Sequence, residues 1–598
     1  GLFAFDEIIE GTQVIEKTDT EAFLVRKASD GGDVFVVDTT NSKVGIGISA
    51  SSITENFHLN TTGNTTARIQ AASNNKATLK LDSNEGWWLI NDAASTYGAI
   101  NTFHIVQGSN TTSKFAIDAN SRVSLSNNGS FDSGTSNTVF GKSIGDIDAG
   151  SNYNVFIGEE VASDNTLNDA THNVVIGYQA GEDLASADNC VFIGYQAGQQ
   201  HSQSSGCTAV GYRAMYNSSG LNNWGNTFFG FGAAAGNWTT SESNGNVGVG
   251  YQTLKGAMND ADYNVAVGYQ AGYSITEGDY NSLLGWKAGV ALTTGGNNVA
   301  IGNGALLSGV SNSQNVAVGG DALANATGDS NVAVGEKAGL SLTSGTQNTA
   351  VGRASFYYNQ TGDYNTAIGY NAQLGVSGNS HSNNTSVGYK SMYGITTGTD
   401  NVGVGYDSLL SITTGSKNTA IGKGSLDSLT EGTQNTALGR SSLPALTTGG
   451  NNVGIGMDAG LLTTEGNHNI FIGTEAGNSN TTGDELICIG YRAGYGINHA
   501  TSADGTVAIG YESLKDLATG GGNTALGFKS MQNADGAEAE NTCIGYQSGQ
   551  DMDNDASTRN TYVGIYSGAG GSGSAVDNTA VGAYALRLTG SLGGTFNT

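Results

Sequence analysis

The segment "NTALGRSSLPALTTGGNNVGIGMDAGLLTTEGNHNIFIG", from Asn435 to Gly473, repeats one short pattern three times. Each copy contains Asn, a β-branched residue, a mostly small residue, an aliphatic residue and a glycine, which we call the anchor. Anchors recur 26 times from Gly141 to Gly582, and 15 of the 25 intervals are 17 residues, the others 16 to 20. A period this regular is typical of a solenoid, in which each copy forms one rung.

Two positions in each copy predict a β-strand that ends at the anchor. The residues three and one before the anchor are β-branched or aliphatic, which is the period of two of a strand. We expect the residue one before the anchor to face a core. A small residue three after the anchor predicts a second short strand or bend. A glycine ten after it predicts a turn with positive φ, as at Gly295, Gly415, Gly432 and Gly449.

The sequence therefore predicts an all-β fold, a parallel β-solenoid of about 26 rungs of about 17 residues. Asn lies four residues before the anchor in 22 copies, and stacked asparagine amides can hydrogen-bond from rung to rung as a ladder. The residue two before the anchor is mostly Ala, Gly, Phe or Val, with Ser386 as the polar exception. We expect this row to face outward and to be covered by other copies of the chain, most simply in a homotrimer, with a two-fold arrangement left open.

Composition narrows the possible partners. The formal net charge of −28 disfavours nucleic acid and anionic membrane surfaces, and no apolar run is long enough to span a bilayer, so neither nucleic-acid binding nor membrane insertion is expected. Four cysteines are too few for a disulfide framework in 598 residues. Cys488 and Cys543 lie in the small slot two before the anchor, and Cys190 and Cys207 replace the ladder Asn, so all four are predicted to be small packing residues.

Rungs such as "NVAIGNGAL" (Asn298 to Leu306) and "NTAIGYNAQ" (Asn365 to Gln373) resemble the head repeats of YadA-like trimeric adhesins. The resemblance covers residues 137 to about 590 and implies a homotrimer. The segment "VFVVDTTNSKVGIG" (Val34 to Gly47) resembles segments of bacteriophage tail fibres and other virion appendages, and "KFAIDANSRVSL" (Lys114 to Leu125) repeats its pattern. Both are expected to be strand-turn-strand hairpins.

We divide the chain into four parts on this basis. Residues 1–50 are an attachment or shaft segment, 51–132 a small β domain, 133–590 the solenoid and 591–598 a C-terminal tail.

Motifs for catalysis are weak. Glycine spacings carry no information at this glycine content, and "FGKS" and "GKSIG" near Gly141 lack the helical context of a P-loop or a hydrolase nucleophile elbow. The seven histidines share no rung position and are taken as surface loop residues. We therefore expect no enzyme activity and no cofactor, although the many carboxylates leave glycan hydrolysis open.

Candidate binding residues lie in loops. Asp551, Asp553 and Asp555 of "DMDND" are weak candidates for a Ca²⁺ site, and a solvated acidic loop is the alternative. Loop insertions place Trp224 and Trp238 where they are expected to be exposed as weak candidates for receptor contact. Tyr follows the anchor in 11 copies, which predicts an aromatic stripe that either stacks from rung to rung or binds sugars.

The function predicted from these features is a structural fibre of a virion, such as a phage tail fibre. It would contact other virion tail proteins and present a surface that binds a glycan or protein of the host cell. The alternative is a bacterial surface adhesin or extracellular filament with the same roll. An ice-binding solenoid is a further rival, disfavoured here because the Thr residues are expected to share the face of the core aliphatic residues.

Overall fold

A computed structural model describes residues 137–587, except 142–143, 146, 149, 165, 219–222, 239–240, 499–503, 553–556 and 571–573, and isolated strands on either side. The chain divides into two compact units. The first contains residues 1–111 and 117–122, and the second contains residues 112–116 and 123–598.

The N-terminal strands include the hairpins that the sequence predicts. Strand β2 (Asp33–Asp38) pairs antiparallel with β1 (Phe23–Arg26) and with β3 (Lys43–Ile46), which confirms the hairpin in "VFVVDTTNSKVGIG". β3 also pairs with β4 (Phe57–His58) in parallel. Strand β6 (Trp87–Asp92) lies between antiparallel neighbours β5 (Ala77–Leu81) and β7 (Thr102–Gln107). Strands β8 (Ser113–Ile117) and β9 (Val123–Ser124) are adjacent, as expected for the second hairpin.

The repeat region forms one parallel sheet of 26 strands in chain order, in which each strand pairs in register with the strand of the next rung. This confirms the β-solenoid. The strands, β10 to β34 followed by β36, are Thr138–Phe140, Val155–Ile157, Val174–Ile176, Val191–Ile193, Thr208–Val210, Thr227–Phe229, Val247–Val249, Val265–Val267, Ser282–Leu284, Val299–Ile301, Val316–Val318, Val332–Val334, Thr349–Val351, Thr366–Ile368, Thr385–Val387, Val402–Val404, Thr419–Ile421, Thr436–Leu438, Val453–Ile455, Ile470–Ile472, Ile487–Ile489, Val507–Ile509, Thr524–Leu526, Thr542–Ile544, Thr561–Val563 and Thr579–Val581. A further strand, β35 (Ala575–Val576), pairs in parallel with β37 (Gly594–Thr595).

The predicted faces of the strand are reversed. The middle residue, two before the anchor, lies inside the coil, and the residues on either side of it lie outside. In Val299–Ile301, Ala300 is fully buried while Ile301 is 38% exposed. The period of two correctly places neighbouring residues on opposite faces, but it does not say which face is inside. A coil of about 17 residues is narrow, so Ala and Gly fit inside and most of the bulky aliphatic side chains are left outside.

The interior is completed by apolar residues from the turns. Leu292, Ile412, Leu429 and Leu446, each seven after an anchor, are fully buried, and so are the Ala or Ser side chains three after it, such as Ala288 and Ser425. The described part of each rung contains one three-residue strand, and turns make up most of the remainder. The prediction of a second strand is therefore wrong, while the alternative of a bend is correct.

Close approach between rungs explains why glycines recur at fixed positions of the repeat. The anchor Gly302 has φ of +137°, and a Cβ there would lie 2.5 Å from the carbonyl oxygen of Gly319. Gly295, Gly415, Gly432 and Gly449 do not have positive φ, contrary to the prediction, whereas Gly520, ten after the anchor Gly510, has φ of +119°. At Gly432 a Cβ would instead lie 2.3 Å from the carbonyl oxygen of Gly449. Contact with the next rung excludes a side chain at this position.

The asparagine ladder is confirmed. The Oδ1 atom of Asn281 accepts hydrogen bonds from the backbone N–H of Asn298 (3.1 Å) and from its Nδ2 (3.0 Å). The same Nδ2 donates to the carbonyl oxygen of Asn312 (2.9 Å), and Asn298 is fully buried. The amide thereby forms hydrogen bonds with buried backbone groups of the turns, which have no partner in the sheet and are shielded from water. The ladder Asn is replaced at Cys190, Cys207, Leu486 and Thr506.

Candidate functional surface

The outward side of the sheet is an apolar strip that runs along all 26 rungs. One row is the residue before the anchor, and the members of this row that are most exposed have 37–70% of their surface accessible. These are Phe140, Ile157, Phe229, Val249, Leu284, Ile301, Val334, Ile368, Ile421, Leu438, Leu526 and Val581. A second row, three before the anchor, is Val, Thr, Ile or Ser. At ~4.8 Å per rung and ~3.3 Å per residue, the strip measures roughly 120 Å by 10 Å.

An aromatic row flanks the strip, directly after the anchor. Its longest run has seven rings in successive rungs, from Tyr178 to Trp286, with centroids 4.6–6.4 Å apart and ring planes within 21° of each other. Two shorter runs extend from Tyr370 to Tyr406 and from Tyr491 to Tyr546. The predicted tyrosine stacking is thus confirmed, and Phe231, Trp286 and Phe528, which a count of tyrosines misses, belong to the same row.

The stacking limits what the aromatic row can bind. A sugar ring packs on the face of an aromatic ring, and within each run these faces are turned toward the neighbouring rungs. Basic side chains also lie over several rings, with Lys287 Nζ 4.5 Å from the centroid of Trp286 and Arg492 Cζ 5.2 Å from that of Tyr491. The row therefore presents mainly ring edges and cations to its surroundings, which favours the rung-to-rung packing role over a sugar platform.

The two tryptophan candidates have different environments. Trp224 is 53% exposed, as expected, and its backbone N–H donates to Asn244 Oδ1 (2.9 Å). Trp238 is fully buried and packs edge-on against Phe228 with centroids 5.9 Å apart, so its predicted exposure is wrong. The insertion that carries Trp238 folds this ring into the coil, where it fills space that a 17-residue rung does not have. Trp224 remains a candidate for receptor contact.

Of the three metal-site candidates in "DMDND", the structure describes only Asp551. Asp551 accepts a hydrogen bond from Asn533 Nδ2 (2.7 Å), while Asp553 and Asp555 lie outside the described residues. Within the part of the chain that is described, no group of three or more His, Cys, Asp or Glu side chains could hold a metal ion.

Two histidines contradict the prediction of surface positions. His201 is fully buried, with Nδ1 3.0 Å from Ser218 Oγ and Nε2 2.8 Å from the carbonyl oxygen of Ser204. His381 is 3% exposed and lies edge-on to Phe356, and burial lowers the pKa of its imidazole to about 3. His201 lies seven after the anchor Gly194, the repeat position that holds buried Leu292 in another rung, so its burial follows the repeat. His381 lies in a rung with two inserted residues. His172 and His468 are exposed as predicted.

Comparison with known proteins gives no match to a family model, a curated protein or a solved structure. Over the described ranges, no helix has the length and apolar character needed to cross a membrane.

Proposed function

We propose that the chain is a homotrimeric structural fibre of a virion, of the phage tail-fibre type, which presents a binding surface to the host cell. The observation that carries the proposal is the outward apolar strip. The strip covers roughly 1,200 Å²; the row before the anchor is aliphatic or aromatic throughout, and the row three before it is Val or Ile in half of the rungs. This apolar part exceeds the few hundred Å² that soluble monomers usually leave exposed, which favours a covering partner. A second copy offers a strip of the same length and rung spacing.

The interface in this proposal differs from the one expected from the sequence. The rows three and one before the anchor meet between copies, whereas the row two before the anchor packs inside its own coil. Three copies, rather than two, follow from the resemblance of the rungs to trimeric adhesin heads. The net charge of −28 makes copies of the chain repel one another. Association therefore requires that an apolar surface, such as the outward strip, is buried between them.

The fibre acts mechanically rather than catalytically in this account. Acidic residues two after the anchor pair with bases of the next rung, as in Glu475 with Arg492 and Glu512 with Lys529 (3.3 Å). Carboxylates engaged in this way serve rung-to-rung packing. Host contact is assigned to loop insertions such as the one that exposes Trp224, and a glycan or protein of the cell surface is the expected ligand. Three chains in each of several fibres would strengthen weak contacts through multivalency.

A test of the assignment is to look for the chain in purified virus particles. Mass spectrometry of density-purified particles should detect its peptides at a constant ratio to a capsid protein, and gold-labelled antibodies should mark an appendage in electron micrographs. Labelling of bacterial cell surfaces, without any signal in the particles, would support the alternative of an adhesin instead.

Ice binding is a second candidate, because the structure removes the argument against it. The Thr residues three before the anchor face outward, and Thr524, Thr542, Thr561 and Thr579 align in successive rungs. Valine interrupts the row elsewhere, as at Val402. Measurable thermal hysteresis of the purified protein would favour this role, and freezing indistinguishable from that of a control protein would remove it.

A further inference from the structure

The asparagine ladder is interrupted in two successive rungs by the thiols Cys190 and Cys207. The strands that follow them pair in register, with Val191 opposite Thr208, and Val191 N–H donates to the carbonyl oxygen of Cys207 (2.9 Å). Cys190 and Cys207 therefore occupy the same place in neighbouring rungs, where two asparagines would otherwise bridge. Both side chains are fully buried.

The register brings the two cysteines within reach of a disulfide. Neighbouring parallel strands are ~4.8 Å apart, which falls within the 4.4–6.8 Å range of Cα separations that a disulfide bridges. The Cys207 thiol also donates to the carbonyl oxygen of Asn223 (3.1 Å), and the Cys190 thiol donates to that of Ser204 (3.4 Å).

We propose that Cys190 and Cys207 form a disulfide between neighbouring rungs when the chain folds in an oxidising medium. The thiolate of one of the two cysteines attacks a small disulfide, such as oxidised glutathione, and releases one glutathione thiolate. The sulfur of the other cysteine then attacks the mixed disulfide and releases the second glutathione. The two protons from the cysteine thiols pass to the two glutathione thiolates, and the two electrons reduce the glutathione disulfide.

This exchange belongs to assembly, before the rungs close. The finished coil buries both sulfur atoms, so a glutathione adduct has no room there. The bond would take over the rung-to-rung connection that the asparagine amides make elsewhere.

The other two cysteines provide an internal control. Cys488 pairs with Phe471 and Ala508 in the neighbouring rungs, and Cys543 pairs with Ala525 and Tyr562. Both are fully buried, and burial raises the pKa of Cys488 to about 12. Neither has a thiol in the adjacent rung, so neither should be oxidised under conditions that link Cys190 to Cys207.

The test is to unfold the full chain in denaturant, refold it with reduced or with mixed reduced and oxidised glutathione, and alkylate the free thiols after denaturation. Native circular dichroism is required of both samples. We expect four alkylated cysteines after reducing refolding and two after oxidising refolding, with chymotryptic peptides of Cys190 and Cys207 linked to each other. The oxidised chain should also melt at a higher temperature, and a reductant should abolish that increase.

The variant Cys190→Asn separates the proposal from general oxidation. It restores an amide to the ladder and should fold, retain three free thiols and melt at the same temperature with or without oxidised glutathione. Four free thiols in the natively refolded, oxidised parent chain would overturn the proposal, as would linkage of Cys207 to Cys488 or Cys543.

Discussion

The middle residue of each solenoid strand and its two neighbours occupy opposite environments, although they are consecutive in the chain. Ala420 is fully buried between Gly403 and Ala437 of the adjacent rungs, while Ile421 is 39% exposed. The inner row is mostly small because the coil is narrow. Of the outer rows, the one before the anchor is aliphatic or aromatic and the one three before it mixes Val and Ile with Thr and Ser, and many of the aliphatic side chains stay exposed to solvent within the described part of the chain. The difference indicates that the inner row stabilises the rung stack, whereas the outer rows are available for association between copies.

Placing a carboxylate in the inner row should have the largest effect on stability, whereas the same change in an outer row should affect association instead. Ala420→Asp places a carboxylate without a partner inside the coil, which costs several kcal/mol, roughly 3 or more, and should abolish the cooperative thermal transition around this rung. Ile421→Asp should leave the monomer fold intact and weaken self-association. Circular dichroism melting and sedimentation measure the two effects, and the opposite pattern would mean that the rows are assigned the wrong way round.

The asparagine ladder extends the comparison to the turn. Asn298→Ala leaves Asn281 Oδ1 and the carbonyl oxygen of Asn312 each without one donor, and should lower the free energy of unfolding by about 2–3 kcal/mol. Asn303→Ala, at an exposed position of the same rung, should change it by less than ~0.5 kcal/mol. Chemical denaturation curves of the two variants provide the comparison, and equal effects would contradict the role of the ladder.

Lowering the pH should destabilise the coil through a histidine that is buried inside it. The pKa of His381 is lowered to about 3 by burial, against 6.5 when unperturbed, so the unfolded chain binds a proton more readily than the folded chain. The stability that this residue contributes is complete above about pH 6.5 and declines as the pH falls toward 3, by about 2 kcal/mol at pH 5.

The measurement is the slope of unfolding free energy against pH between 7 and 5, roughly the range in which a free histidine titrates. His381→Asn should flatten this slope, whereas His468→Asn, at an exposed position, should leave it unchanged. A slope that His381→Asn does not alter would show that this imidazole is protonated in the folded chain.

Two buried serines give the smallest and most discriminating contrast. Ser386 is the polar member of the inner row, between Ala367 and Gly403, and its buried Oγ has no hydrogen-bond partner. Ser386→Ala should therefore stabilise the chain by about 1 kcal/mol. Ser408 Oγ donates to the carbonyl oxygen of Ala420 (3.0 Å), so Ser408→Ala should destabilise it by a similar amount. Thermal melts of both variants should shift in opposite directions, and shifts of the same sign would contradict the assignment.

Much of the fold follows from the repeat itself. The period, the strand that ends at the anchor, the asparagine ladder and the stacked tyrosines were all predictable, because each rung must match the next. Which face lies inside was not, because alternation defines two faces without ranking them, and coil width decides between them. Glycines such as Gly432, ten after the anchor, were misjudged for a related reason, since contact between rungs, rather than φ, excludes a side chain there.

The candidate site was less predictable, because it depends on residues that break the repeat. Trp238 and His381 lie in rungs with inserted residues, so their burial depends on how one irregular turn folds. His201 instead occupies the repeat position of Leu292, seven after an anchor, in a rung of 17 residues. The proximity of Cys190 to Cys207 could be seen in the sequence as two substitutions at one repeat position. The consequence for their thiols required the register of the strands.

Sedimentation equilibrium of the purified chain measures whether the outward rows, one and three residues before the anchor, pack against other copies. We expect a single species of three times 60.9 kDa that Ile421→Asp shifts toward the monomer. A parent chain that stays monomeric at all accessible concentrations, with its native circular dichroism intact, would contradict this expectation.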